Sequence, residues 1–337
     1  MAFEDLSAEM LEQLEKALRT AVGRIRDHNL EPMRHMLAYH MGWEGQGAGP
    51  AASGKRIRPL LVLLTNAAAE GDWSLAIPAA VAVELIHNFS LIHDDIEDNS
   101  PMRRGRPTVW KLWGMPQAIN SGDAMFTLAH LSLLDLEGSV PADNVLHAAR
   151  LLQETCLSLT KGQFLDIDYE ARGDLDLEAY WPMVSGKTAA LLAACTELGP
   201  LIAGADAACC AAYREFGHSL GLAFQAQDDF LGIWGDAALT GKSAESDLLT
   251  GKKSLPVLYG LSLNGAFAQA WQAGPVQPEN VAQLAGQLKQ EGAFDYTLER
   301  ANRLTSQALK ALDLAYPQGE AGEALRALAL RLLNRPM

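Results

Sequence analysis

The sequence predicts an all-α protein, and three observations predict it. Alanine and leucine, both strong helix formers, dominate the chain. Apolar residues recur at spacings of three and four, as in the stripe Leu6, Met10, Leu14, Leu18 and Val22. Runs rich in Val, Ile and Thr with strict alternation, the mark of strands, are absent. In chain order the pattern places helices over 6–22, 29–41, 57–70, 75–98, 116–136, 141–170, 177–203, 206–235, 254–262, 277–291, 293–315 and 320–333. The first carries the stripe just named. Residues 42–53, rich in Gly, Ala and Pro, separate the second from the third as a loop. Residues 100–107 (SPMRRGRP) form a second loop, with a proline near each end, and residues 236–253 a third. Long helices that are apolar on most sides belong at the centre of a bundle. No composition shift marks a domain boundary and no segment repeats, so residues 1–337 read as a single domain.

The chain has 337 residues, 49% of them hydrophobic and 20% charged, which is ample for a core and excludes a disordered protein. Its formal net charge of −14 argues against a nucleic-acid partner, because phosphate backbones need a basic surface. At first sight it argues against any polyanionic ligand. Cys156, Cys195, Cys209 and Cys210 form no CxxC pair and sit among apolar or small residues, so they read as reduced, buried thiols. The N-terminus MAFEDLSAEMLEQLEKAL has no apolar signal-peptide core. Glu84, Glu197 and Asp206 break the most apolar stretches, so no transmembrane segment is expected. The expectation is a soluble, cytoplasmic protein.

Chemistry concentrates in three constellations. The first is LIHDDIED at 91–98, where Asp94, Asp95, Glu97 and Asp98 close a long apolar helix. Asp94 and Asp98, four apart, share a helix face, and acids at a helix C-terminus oppose its dipole. A segment that breaks both rules is compensated, and hard carboxylates at this spacing suit Mg²⁺ held together with substrate phosphates. The second is FQAQDDFLG at 224–232, where Asp228 and Asp229 close another apolar helix and Asp236 follows. Brought face to face, the two clusters would make an anionic cup for several divalent ions. The third is basic: GKRIRP at 54–59, Arg103, Arg104 and Arg106 after the first acids, Lys187-Thr188, and Lys242, Lys252 and Lys253. Acids and bases around one cavity suit a metal–diphosphate ligand better than either set alone.

With GQFLD at 162–166 and GKSAESDLLTGKKSLP at 241–256, these make six motifs whose order resembles that of the trans-isoprenyl diphosphate synthases, the polyprenyl synthetases, over at least Gly54 to Pro256. The resemblance implies the isoprenoid synthase fold, helices around a deep central cavity, and a homodimer. It implies condensation of an allylic diphosphate with isopentenyl diphosphate. Asp94 and Asp98 would bind two Mg²⁺ ions and Asp228 a third, with Asp95 and Asp229 in support. Arg103, Lys187, Lys242 and Lys252 would hold the allylic diphosphate, and Lys55, Arg58, His87 and Arg104 the isopentenyl diphosphate. Thr188 and Gln225 correspond to groups that stabilise the allylic cation. Two departures stand out: Gly232 where many relatives carry Asp, and Trp110 where His is common.

Phe89 and Ser90, five and four residues before Asp94, lie where the growing tail would run back along the helix. At about 1.5 Å per residue, Phe89 is about 7.5 Å down that helix. An aromatic there resembles short-chain synthases, and the acid motif lacks the two-residue insertion of many bacterial farnesyl enzymes. Both favour geranylgeranyl diphosphate as product over farnesyl or longer polyprenyl diphosphates. A class I terpene cyclase shares the helices and the first acid motif, but carries an Asn/Ser/Glu-type triad at the second. A non-catalytic synthase subunit often lacks an acid motif, and a plain helical scaffold leaves the pairing of acids with bases unexplained.

Overall fold

The computed structural model describes residues 2–235 and 246–333. It is all-α, as the sequence predicts. The helices of ten or more residues are α1 (Ala2–Val22), α2 (Glu31–His40), α3 (Ile57–Ala68), α4 (Ile77–Glu97), α5 (Met115–Leu134), α6 (Ala142–Ala171), α7 (Ala190–Ala203), α8 (Ala207–Trp234), α9 (Val281–Gln290), α10 (Ala293–Ala315) and α11 (Gly319–Leu333). The predicted segment 177–203 resolves into a helical turn Tyr180–Val184, a π-helical turn Ser185–Ala189 and α7. The turns Pro50–Ser53, Val109–Trp113, Ser246–Leu249 and Ala266–Gln272 are missing from the sequence reading, because four to seven residues are too few to display a 3.6-residue period. Residues 236–245 of the third loop, with Asp236 and Lys242, lie outside the described residues.

The second loop also differs from expectation. Met102–Arg103 and Arg106–Pro107 pair as a small antiparallel ribbon, Met102 opposite Pro107 and Arg103 opposite Arg106. Its two linking residues, Arg104 (φ 51°) and Gly105 (φ 73°), are both left-handed, as a tight hairpin requires. Two residues per strand leave no alternation for the sequence to show.

The described residues cluster into two compact units. The first comprises Met1–Gln153, Cys195–Cys210 and Pro317–Leu325. In it α4 packs along α5, and Gly122 leaves room for His93, which a Cβ there would strike. Gly199 lies on α3 so closely that a Cβ would stand 2.5 Å from the Asn66 nitrogen, and Asn66 Nδ2 donates to the Gly199 carbonyl at 2.9 Å. Leu61, Leu63, Leu64, Leu85 and Ile86 are fully buried, each worth about 1.5–3 kcal/mol by transfer. The second unit comprises Glu154–Ala194, Ala211–Tyr316 and Arg326–Met337. Its core includes Ile233, Leu248, Val257, Phe267 and Leu288.

The segment Trp73–Glu97 is long and apolar enough to cross a bilayer, against the sequence reading, which took Glu84 as a break. In the fold 61% of that apolar window is buried, and Glu84 is neutralised inside the first unit by Arg56 at 2.6 Å. The cysteines are free thiols; Cys156, Cys195 and Cys210 are buried as expected, while Cys209 is half-buried.

Candidate active site

Helix α4 sets the first acid cluster. It stops in a Schellman geometry: Asn99 (φ 50°) donates to the Ile96 carbonyl at 3.1 Å, and Ser100 to the Asp95 carbonyl at 2.9 Å. Asp94, Asp95 and Asp98 are thereby fixed on one turn. Their roles divide by burial. Asp95 is 2% exposed and accepts from Arg103 Nε at 2.7 Å. Burial raises its pKa against the opposing pull of Arg103. Asp94 is half-buried and Asp98 exposed, so their carboxylates are the ones a ligand can reach.

The basic residues gather in the same unit. Gly54 (φ 80°) has no side chain, and the Arg104 guanidinium occupies that space, 2.8 Å from where a Cβ would stand. Arg104 also donates to the Ala52 carbonyl at 2.8 Å. Arg58 reaches His87 Nε2 at 3.3 Å. Guanidinium only donates, so His87 accepts there as the neutral imidazole. Burial depresses the His87 pKa well below its usual value, helped by Arg58 and Arg104. Burial likewise lowers the Arg104 pKa, and Arg56, Arg103 and Arg58 add repulsion. Lys55 is exposed on this loop. Arg56 is committed inward, to Glu84, which also accepts from Asn88 Nδ2 at 2.9 Å. Beside these groups a small pocket is lined by His40, Asp95, Arg103, Arg104, Arg106 and Thr108, among others. His40 Nε2 is buried there without a hydrogen-bond partner. Burial, then the arginines, push the His40 pKa down to about 3.

The second unit builds the second cluster with the same division. Asp229 is 1% exposed. It accepts from Gln225 Nε2 at 2.8 Å and from the Leu255 N–H at 3.0 Å, and Lys252 Nζ lies 3.6 Å away. Asp228 is half-buried. Burial opposes the charge of Lys252, but Asp229, Asp247, Asp166 and Asp228 outweigh it and raise its pKa. Burial, then Asp229, also raises the phenol of Tyr180, which is wholly buried. Lys187 pairs with Asp166, and Thr188 Oγ1 donates to Gln225 Oε1 at 2.9 Å.

The π turn explains why Lys187 and Thr188 stand together here. Ala190 N–H bonds the Ser185 carbonyl, a five-residue step that widens the helix around them. The turn rests on the GQFLD glycine: a Cβ on Gly162 would stand 2.5 Å from the Gly186 carbonyl carbon and 2.7 Å from Lys187 Cα. A small pocket is lined by Asp166, Met183, Lys187, Thr188, Gln225 and Lys252, among others.

Sequence reasoning missed His40, Tyr180 and Asp247, and took Glu84 only as an interruption. A polar residue inside an apolar helix was the signal for Glu84; His40 and Tyr180 carried none. Trp110 donates from its indole to the Ser100 carbonyl at 2.9 Å, which ties the ribbon to the end of α4 and accounts for that departure as a structural brace. Phe89 stacks edge-on against Phe126 at 5.1 Å and His93 at 4.9 Å, while Ser90 Oγ donates to the His87 carbonyl.

Among the described residues no three His, Cys, Asp or Glu side chains converge as a ready-made metal centre. The donors nonetheless fit Mg²⁺, which takes one or two carboxylates and completes its shell with water and substrate phosphate. Asp94 and Asp98 offer such a pair, with Asp95 already committed elsewhere.

The sequence profile of the polyprenyl synthetases matches residues 49–287. A (2E,6E)-farnesyl diphosphate synthase of Mycobacterium bovis is 44% identical over 265 residues, 77% of this chain and 72% of the relative. A geranylgeranyl diphosphate synthase of Mycobacterium tuberculosis is 44% identical over 260 residues, 77% of this chain and 73% of the relative. The structure of a geranylgeranyl pyrophosphate synthase of Corynebacterium glutamicum, complexed with isoprenyl diphosphate and magnesium, superposes with a TM-score of 0.82 at 28% identity, covering 99% of each chain. The six motifs, the all-α fold and these matches lead to one conclusion: the chain belongs to the polyprenyl synthetase family of trans-isoprenyl diphosphate synthases.

Proposed function

We propose that this chain is a chain-elongating prenyltransferase that condenses isopentenyl diphosphate with an allylic diphosphate and releases geranylgeranyl diphosphate. The observation that carries it is the clustering of Arg58, Arg103 and Arg104 near neutral His87, beside two accessible carboxylates. Guanidiniums gathered this closely suit a bound polyanion.

Lys55, Arg58 and Arg104 bind the isopentenyl diphosphate, and His87 orients Arg58 by accepting its N–H. Arg103, Lys187 and Lys252 hold the allylic diphosphate, joined by Lys242 on its motif position. Asp94 and Asp98 would hold two magnesium ions and Asp228 a third, which would supply charge neutralisation for the departing diphosphate. The Thr188 hydroxyl proton is engaged by Gln225, which leaves the hydroxyl lone pairs for the allylic cation. The isopentenyl double bond then attacks the cation, and the proton lost goes to the departing diphosphate. No covalent nucleophile is needed.

Half-buried Phe89, braced by Phe126, supports the C20 product. A C15 product is the second reading, since farnesyl and geranylgeranyl synthases are equally similar to the chain. A homodimer in the cytoplasm completes the proposal; α5 exposes Met115, Ile119, Leu131 and Leu134, apolar side chains that a second copy would cover. The test is incorporation of radiolabelled isopentenyl diphosphate with Mg²⁺ and C5, C10 or C15 allylic primers. The expected product is C20; no incorporation with any primer defeats the enzyme reading, and cyclic hydrocarbons favour a cyclase.

A further inference from the structure

Helix α8 meets the π turn along one face. On it His218, Gly221, Gln225 and Asp229 recur at spacings of three and four. Asp229 belongs to the second acid cluster, and Gln225 donates to it at 2.8 Å. Gln225 also receives the Thr188 hydroxyl. At Gly221 the turn lies against the helix itself: a Cβ there would stand 2.5 Å from Ala189 Cα. His218 completes the face. Its Nε2 is hydrogen-bonded to Ser185 Oγ at 3.0 Å, and both residues are half-buried. Ser185 opens the turn, and its carbonyl accepts the five-residue bond from Ala190. From α6, Gly162 touches the same turn and Asp166 pairs with Lys187.

We infer that His218 is a positioning residue: by holding the Ser185 side chain it keeps the turn in its wide π form, and so sets the directions of Lys187 and Thr188. The inference rests on the proposed function, in which those two residues serve the allylic diphosphate and its cation. The π form needs such a tie, because its hydrogen bonding is rare and the α form competes with it. Freed, the Ala190 N–H can return to the carbonyl four residues back, that of Gly186, and the turn rewinds. A serine without the imidazole also has the alternative of bonding a carbonyl of the preceding turn. Either change moves Lys187 and Thr188, and a displacement of about 1 Å in groups that orient a substrate costs about a hundredfold in rate. Lys55, Arg58 and Arg104 stand on other elements, so isopentenyl diphosphate binding is spared.

The test is a mutant cycle on the full chain: wild type, Ser185→Ala, His218→Leu and the double variant, with His218→Gln as the conservative control. Steady-state kinetics with a C10 or C15 allylic diphosphate are read beside hydrogen exchange of the backbone amides over 184–190. Each single variant is expected to lower kcat/KM for the allylic diphosphate by about tenfold or more, with KM for isopentenyl diphosphate within about twofold of wild type. The double variant is expected to fall within about twofold of the weaker single one, since both remove the same bond. His218→Gln keeps a hydrogen-bonding group for Ser185 and is expected to recover to within about threefold of wild type. Exchange over 184–190 is expected to quicken by about tenfold in the single variants and to slow again in His218→Gln. Ser185→Ala, which removes one oxygen, carries the test should His218→Leu fold poorly. Equal losses toward both substrates, additive losses in the double variant, or unchanged exchange overturn the inference. A wild type that is inactive with every primer defeats the enzyme reading instead, and the exchange data then still decide whether His218 holds the turn.

Discussion

Neighbouring aspartates with the same side chain do different work. Asp94 and Asp228 present reachable carboxylates, whereas Asp95 and Asp229 are buried and spent on Arg103 and on Gln225, Leu255 and Lys252. Asp94→Ala and Asp228→Ala are therefore expected to lower kcat by about a hundredfold or more with little change in melting temperature. Near-normal turnover at saturating Mg²⁺ would refute the metal assignment. Lys55 is exposed and holds no described partner that the fold depends on. Lys55→Ala should raise KM for isopentenyl diphosphate most, with kcat far less affected in steady-state kinetics. The sequence distinguished none of this within a DD pair, because burial separates the two residues and burial is a property of the packed helix end.

Elements carry the next set of constraints. The glycine of the GQFLD motif acts by letting α6 touch the π turn that contains Lys187 and Thr188. Gly162→Ala must push these segments apart. It is expected to cost about 1–3 kcal/mol in denaturant unfolding and to lower activity by more than that loss of folded protein explains. Equal losses would reduce the glycine to a packing role. On α4, Phe89 lies between His93 and Phe126. Phe89→Ala is expected to lengthen the product beyond C20, read by chromatography of the dephosphorylated alcohols; an unchanged length removes Phe89 from chain-length control. The period of α4 was plain in the sequence. The facing ring from α5 was not, since it comes from a separate helix.

At the scale of the whole molecule, four helices, α6, α7, α8 and α11, contribute residues to both units. We propose on this ground that residues 1–337 unfold as the single domain read from the sequence, and calorimetry should show one transition. The same melts test a pH effect. His40 and His87 are held neutral by burial and by nearby arginines, His40 down to about 3. The unfolded chain binds their protons near pH 6.5, so the folded state binds fewer protons below that value. Stability is full above about pH 6.5 and falls as pH drops towards the folded-state values, by up to about 1.4 kcal/mol per pH unit for each histidine. A flat stability between pH 7 and 5 would contradict this, and His40→Gln should flatten the slope.

The fold class was determined by the sequence alone, because helical period and the lack of alternation are local properties. The clusters of acids and bases on which the proposed site rests were legible there too, because they are runs of neighbouring residues. The net charge of −14 argues against nucleic acid but not against a polyanion, since under the proposed function Mg²⁺ and a local arginine cluster would reverse its meaning at the site. Tertiary structure decided which acid of each pair is reachable and which arginine is spent on Glu84. Those facts follow from which segments pack together, and segments distant along the chain leave no mark of their contact in the order of residues.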